Sequence, residues 1–160
     1  MEIVPSGPAD AAELRKVYTE AFREQWRDDT LPTHAARAGF KCRAAWDGDE
    51  MVGFTYGYTG DFGQWWTDHI AARVSPELSR EWLGGHFELV ELAVLPSHER
   101  RGLGTALHDA LLDGLPHRVA LLTATDDENA PARRLYDRKG WRVLAGEVFD
   151  GAVLMGLTLR

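Results

Sequence analysis

Glu99-Arg100-Arg101-Gly102-Leu103-Gly104-Thr105 joins an apolar run, Phe87–Leu95, closed by Pro96, to an amphipathic run, Leu103–Leu115. The first run reads as a strand. The second places Leu103, Ala106, Leu107, Ala110 and Leu111 on one helical face. Two glycines let the junction turn tightly and approach a ligand closely. The amides of the first helical turn lack intrahelical partners, and the helix dipole favours an anion beside them. Arg100 and Arg101 add full positive charge, so a phosphate or pyrophosphate is the expected guest. Taken alone, the Gly-Leu-Gly turn fits a plain strand-to-helix connection with solvated arginines equally well. A dinucleotide fingerprint would need a third glycine at Leu107, and a nucleoside-triphosphate loop would need Gly-Lys-Ser/Thr; neither is present.

Outward from this junction, strand and helix patterns alternate along the chain. Met1–Pro5 reads as a strand stopped by Pro-Ser-Gly-Pro. Asp10 is placed to cap a helix that carries Leu14, Val17, Tyr18, Ala21 and Phe22 at helical spacing. A short helix is predicted over Thr33–Ala38. Phe40–Trp46, Asp47-Gly48-Asp49 and Met51–Thr59 read as a β-hairpin. Gly60 to Gly85 is irregular, with one or two short helices predicted. Val119–Ala124 reads as a buried strand, Ala130–Lys139 as a helix stopped at Gly140, and Trp141–Leu144 and Val153–Leu159 as closing strands. The order β-α-α-β-β-(insert)-β-α-β-α-β-β predicts an α/β fold: a mixed sheet with helices on its faces, in one domain over residues 1–160.

Composition narrows the function classes. A net charge of −7 has the wrong sign for a protein that coats nucleic acid. No run approaches the 18 or so apolar residues of a membrane helix, and Met1–Asp10 lacks a signal-peptide pattern, so a cytoplasmic chain is expected. A single cysteine makes no internal disulfide, and Cys42 reads as a small core residue. The six histidines show no ligand-like spacing, so no metal site is expected; His86 reads as a surface residue at a strand end, with proton relay a minor alternative. The charge is also unevenly placed. Ser97–Arg142 carries eight basic against seven acidic residues, a net +1, while residues 61–91 carry six acids against two arginines, a net −4.

A second motif lies one strand beyond the glycine turn: Asn129-Ala-Pro-Ala132-Arg-Arg-Leu135-Tyr136-Asp-Arg-Lys-Gly140-Trp141. With Leu92-Ala93-Val94-Leu95-Pro96 and the Gly-Leu-Gly turn, it resembles the GCN5-related N-acetyltransferase superfamily. That family's cofactor loop reads Gln/Arg-x-x-Gly-x-Gly/Ala, and its following helix Asn-x-x-Ala-x-x-Leu-Tyr-x-x-x-Gly-Phe/Trp. The helix pattern matches at every named position; Glu99 departs from the Gln/Arg of the loop and is expected to point away from the pyrophosphate. The resemblance implies a splayed, mixed sheet of six to seven strands. It implies acetyl-CoA as donor, a primary amine as acceptor and coenzyme A as product. It gives Leu92, Ala93 and Val94 to the pantetheine arm, Arg100, Arg101, Gly102, Leu103, Gly104 and Thr105 to the pyrophosphate, and Asn129 and Tyr136 to the remaining cofactor contacts. Asn129 reads equally well as the N-cap of its helix.

The implied reaction needs an ammonium, of pKa about 10.4 by the lysine reference, to lose a proton before attack, and a departing thiolate to gain one. Tyr136 matches the family tyrosine that faces the sulfur and is the expected general acid, against a reading as a helix aromatic packed on the last strands. Glu88 and Glu91 stand on an otherwise apolar strand, where an unpaired carboxylate is costly. Glu88, slightly preferred, matches the base of the family's histone-acetylating branch; Glu91 lies nearer the pantetheine contacts. Residues 60–85 form the insert expected to overhang the acceptor. Its adjacent Trp65 and Trp66 are read either as lining the acceptor site or as plugs between insert and sheet. The leading expectation is an N-acetyltransferase of a small, cationic amine, with or without homodimer formation. The alternatives are acetylation of a protein amino terminus or lysine, and a non-catalytic acetyl-CoA-binding module.

Overall fold

The computed structural model describes residues 1–160. Its elements are β1 (Glu2–Pro5), α1 (Ala11–Phe22), α2 (Thr30–Ala35), β2 (Lys41–Asp47), β3 (Glu50–Thr59), α3 (Trp65–Ala71), α4 (Pro76–Trp82), β4 (Phe87–Val94), α5 (Leu103–Leu112), β5 (Val119–Thr125), α6 (Pro131–Arg138), β6 (Arg142–Phe149) and β7 (Ala152–Thr158). Single 3-10 turns cover Pro8–Asp10 and Pro96–His98. The strands run in the order β1-β2-β3-β4-β5-β7-β6. The β4–β5 pair is parallel, whereas β1–β2, β2–β3, β5–β7 and β6–β7 are antiparallel. This is the mixed sheet expected from the order of elements, with seven strands. The chain divides into two compact units: Met1–Tyr58 with Leu89–Gly114, and Thr59–Glu88 with Leu115–Arg160.

In the first unit, α1 buries Leu14 and Val17 completely, at about 1.5–3 kcal/mol for each apolar side chain. The helix stops at Arg23, whose left-handed backbone (φ 55°) turns its N–H onto the Thr19 carbonyl at 2.9 Å. Asp10 occupies the N-cap position but does not cap with its side chain, because its Oδ2 accepts from Ser6 Oγ at 2.7 Å. The second helix starts three residues earlier than the sequence suggests. Pro32 therefore falls in the first turn, where its missing N–H has no helical acceptor to lose. His34 Nδ1 meets Tyr56 Oη at 2.8 Å, and Arg37, just past the helix, lies over the Tyr58 ring at 4.7 Å, so α2 and the turn after it are tied to the even positions of β3. Gly53, at an odd position, faces α5: a Cβ there would meet Leu107 Cδ1 at 3.0 Å. Helices thus cover both faces of β3, around a core that includes Leu31, Phe54, Leu103 and Leu107.

The second unit is built on β5, buried from Val119 to Leu122, and on its full pairing with β7. The β4–β5 pairing is short, with Phe87 opposite Ala120 and Glu88 opposite Leu121. Strand β6 runs past the predicted Leu144 to Phe149. Its register shifts twice, and Glu147 takes a φ of 49°, which breaks the alternation that marks a strand in sequence. Both insert helices form. Ser75 Oγ caps α4 by accepting from Leu78 N at 3.1 Å, with Pro76 in the first turn. Trp82 at its end is buried against Gly156, where a Cβ would come within 2.6 Å of the ring.

Candidate active site

The residues singled out by sequence fall in both units. In the first, β4 is continued by the 3-10 turn and a loop held in unusual backbone. Leu95 N donates to Val52 O at 2.9 Å, after which Arg100 (φ 62°) and Gly102 (φ 75°) both adopt left-handed conformations. The first intrahelical bond of α5 runs from Ala106 N to Gly102 O at 3.0 Å. The amides of Leu103, Gly104 and Thr105 precede it and have no helical acceptor. Arg100, Arg101 and Gly102 are exposed, and nothing lies within 4 Å of where a Gly102 Cβ would be. Neither guanidinium is in an ion pair, and Glu99 is exposed. Three directed amides and two unengaged cations suit a polyanion such as a pyrophosphate. Just upstream, Ala93 is buried and Leu92 and Val94 are half-buried.

Glu91 is half-buried on the same strand, and its backbone carbonyl accepts from Thr55 Oγ1 at 2.7 Å. Burial, reinforced by the Glu24 carboxylate, pushes its carboxyl up to about 8. Tyr18 Oη donates to Glu24 Oε2 at 3.4 Å, and burial followed by the charges of Glu91 and Glu24 pushes this phenol up to about 12. The Tyr18 ring is held edge-on by Phe22 and Trp26, at centroid distances of 5.0 and 5.2 Å. In the sequence Tyr18 is part of the apolar face of α1, and nothing in the spacing marks Glu24 or Trp26. Glu24 lies past the end of α1, so helical spacing gives no signal that it faces a strand some 65 residues on.

In the second unit, Glu88 is 4% exposed. Tyr136 is buried in α6 and meets Trp141 edge-to-face at 5.9 Å. The buried Arg133 holds the same helix to the end of β5 through the Thr125 carbonyl at 3.3 Å. Asn129 is exposed and does not cap α6: the N-cap is Ala130, and Asn129 instead turns its own N–H onto Asp127 Oδ1 at 3.0 Å. Trp65 and Trp66 diverge, as neighbours on a helix must. Trp65 is 69% exposed, whereas Trp66 packs against the core and lies 5.9 Å from the His86 ring.

His86 is not the surface residue the sequence suggested. Its exposure is 1%, because Gly60 leaves room for the ring: a Cβ on Gly60 would sit 2.1 Å from Nε2. Gly84 N donates to Nδ1 at 3.1 Å, and burial pushes the imidazole down to about 4, so it is neutral at physiological pH. Cys42 is buried and its thiol is pushed up to about 12, as befits a core residue. No group of three or more His, Cys, Asp or Glu side chains is placed to hold a metal ion. No helix is long and apolar enough to cross a membrane.

Comparison with known proteins adds a family to this geometry. The model of the Acetyltransferase (GNAT) family matches residues 11–141. A GCN5-like protein acetyltransferase of Mycobacterium tuberculosis is 38% identical over 109 residues, which is 63% of this chain and 53% of the relative, so the match spans about half that relative's length. Among solved structures, the ribosomal-protein-S18-alanine N-acetyltransferase of Escherichia coli superposes with a TM-score of 0.72 at 20% identity, covering 99% of this chain and 93% of that one. Arabidopsis thaliana NAA60 in complex with acetyl-CoA superposes with a TM-score of 0.71 at 20% identity, covering 99% of both chains.

Proposed function

Because the chain belongs to the acetyltransferase (GNAT) family, we propose that it transfers the acetyl group of acetyl-CoA to the primary amine of a protein or peptide by direct attack in a ternary complex. The observation that carries this reading is the place of Glu91 on β4, directly before Leu92–Val94, where burial pushes its carboxyl up to about 8. A general base is most effective when its pKa lies near the working pH, and one so placed contributes about 10²–10⁴-fold. Glu91 is therefore preferred to the more deeply buried Glu88 as the group that takes the ammonium proton. Bound acetyl-CoA supplies an activated thioester carbonyl. The amides of Leu103, Gly104 and Thr105 and the guanidiniums of Arg100 and Arg101 hold the pyrophosphate, and the strand backbone at Leu92, Ala93 and Val94 orients the pantetheine. Tyr136 keeps its proposed role as proton donor to the departing sulfur, on the strength of its place in the helix motif.

A protein-borne acceptor is supported by the 38%-identical relative, itself named a protein acetyltransferase, and by two exposed aromatic side chains of the insert, Phe62 and Trp65, that are open to contact with a peptide. A small cationic amine is the second reading, favoured by the net −4 of residues 61–91. Thiol release from acetyl-CoA separates these readings when measured against peptides with a free amino terminus, peptides whose only amine is a lysine, and small diamines. Turnover on peptides above the small amines is expected. Thiol release with none of them, from a protein that binds acetyl-CoA, would leave a binding module.

A further inference from the structure

Asp47 ends β2 at the tip of a tight hairpin, opposite Glu50, with Gly48 in left-handed backbone (φ 61°). Its carboxylate lies far from the loop in sequence but not in space. Asp47 Oδ2 is 3.0 Å from His98 Nε2, and His98 Nδ1 is 2.8 Å from Ser97 Oγ. One tautomer satisfies the whole chain: Nε2–H donates to Asp47, and the Ser97 hydroxyl donates to Nδ1. His98 is 8% exposed and ends the 3-10 turn that follows β4, with its N–H on the Leu95 carbonyl at 2.9 Å. Two residues further on, Arg100 takes the left-handed conformation that a side chain disfavours. Such a conformation persists only where its surroundings impose it.

We propose that Asp47 and His98 form a clasp that positions the Arg100–Thr105 loop for the pyrophosphate, making both of them positioning residues for cofactor binding. Between the Leu95 bond to Val52 and the first turn of α5, His98 makes the side-chain contacts that reach outside this segment, through Asp47. The clasp also sets the charge balance. The His98 hydrogen bond, ahead of the charges of the amino terminus and Arg101, holds the Asp47 carboxyl below the usual carboxylate range. Asp47 Oδ2 is engaged by His98 Nε2 at 3.0 Å, and Arg101 forms no ion pair with Asp47. This inference rests on reading the loop as the pyrophosphate site.

The test compares acetyl-CoA with S-acetylpantetheine, a donor that carries the thioester and pantetheine but no pyrophosphate. Steady-state rates for both donors are measured in wild type, Asp47→Ala, Asp47→Asn, His98→Ala and the double variant Asp47→Ala/His98→Ala, with thermal unfolding as a folding control. Asp47→Ala is expected to raise KM for acetyl-CoA about tenfold, the scale of one charge-assisted hydrogen bond, with kcat within about twofold and KM for S-acetylpantetheine unchanged. Asp47→Asn, which still accepts from Nε2–H, should recover part of the loss. Asp47→Ala/His98→Ala should be no worse than the weaker single variant, since both substitutions open the same clasp. Equal KM changes for the two donors in Asp47→Ala, or no change for either, would overturn the clasp. If wild type itself binds acetyl-CoA no better than S-acetylpantetheine, the pyrophosphate reading of the loop fails and the clasp fails with it.

Discussion

Residues 91–105 and residues 60–86 each hold a group that sequence reading associated with the chemistry, yet they were fixed by different physics. The first stretch is shaped by backbone: two left-handed residues, a helix start with three amides ahead of its first bond, and a strand end pinned to Val52. The second is shaped by packing: a histidine driven into the interior by the absence of a Cβ on Gly60, and two tryptophans sent in different directions by a helix of seven residues. Backbone geometry is written in glycines, prolines and short spacings, which are local. Burial is decided by partners distant in sequence.

The largest effect expected is at the backbone-shaped site. Glu91→Gln should lower kcat/KM by about 10²–10³-fold, within the range of a lost general base, whereas Glu88→Gln should stay within a few-fold. Steady-state thiol release by the two variants at pH 8 checks this, and equal losses would put both carboxylates in the reaction. Next comes Gly60→Ala in the packing-shaped region. Its Cβ would sit 2.1 Å from His86 Nε2, so overpacking should cost about 1–3 kcal/mol, read as a lower urea midpoint at unchanged slope. An unchanged midpoint would mean that the His86 ring moves freely, and the contrast between the two regions would lose its sharpest point. The smallest effect is expected from Trp65→Ala. That side chain is 69% exposed, so stability should change by less than about 0.5 kcal/mol. If it lines the acceptor, KM for a peptide rises a few-fold while KM for acetyl-CoA stays constant.

The same contrast governs what could be read before the fold was known. The Gly102-Leu103-Gly104 turn, the start of α5 and the Asn129–Trp141 helix are all short-range patterns, and their elements and the mixed seven-strand sheet follow from them. Errors gather where a local rule met a distant partner. Asp10 has a capping residue type, but Ser6 takes its carboxylate. Asn129 stands one residue too early to cap α6. Strand β6 hides its second half because Glu147 sits in a bulge. His86 looked polar and terminal yet is buried, and Glu24 had no linear sign of its closeness to Glu91. The clasp of Asp47 and His98 joins residues 51 apart, so no spacing rule could have found it.

The charge of the chain also divides along these lines. Its excess of acid lies outside Ser97–Arg142, and part of it, Glu24 and Glu91, is gathered against Tyr18 in the first unit. Burial, with the Glu24 charge second, raises the proton affinity of Glu91. The sign of the effect on stability is fixed by the upward shift. Below the unfolded value of about 4.5 Glu91 is protonated in both states, and its burial penalty grows as the pH rises from there towards about 8.

The most direct test of Glu91 as the base is the pH dependence of kcat/KM for thiol release in wild type and in Glu24→Gln. The account predicts a rise through about pH 8 in wild type, and the same rise displaced to lower pH in Glu24→Gln, where a neighbouring negative charge has been removed. Identical profiles for the two proteins, rising only with the pKa of the free amine, would contradict it.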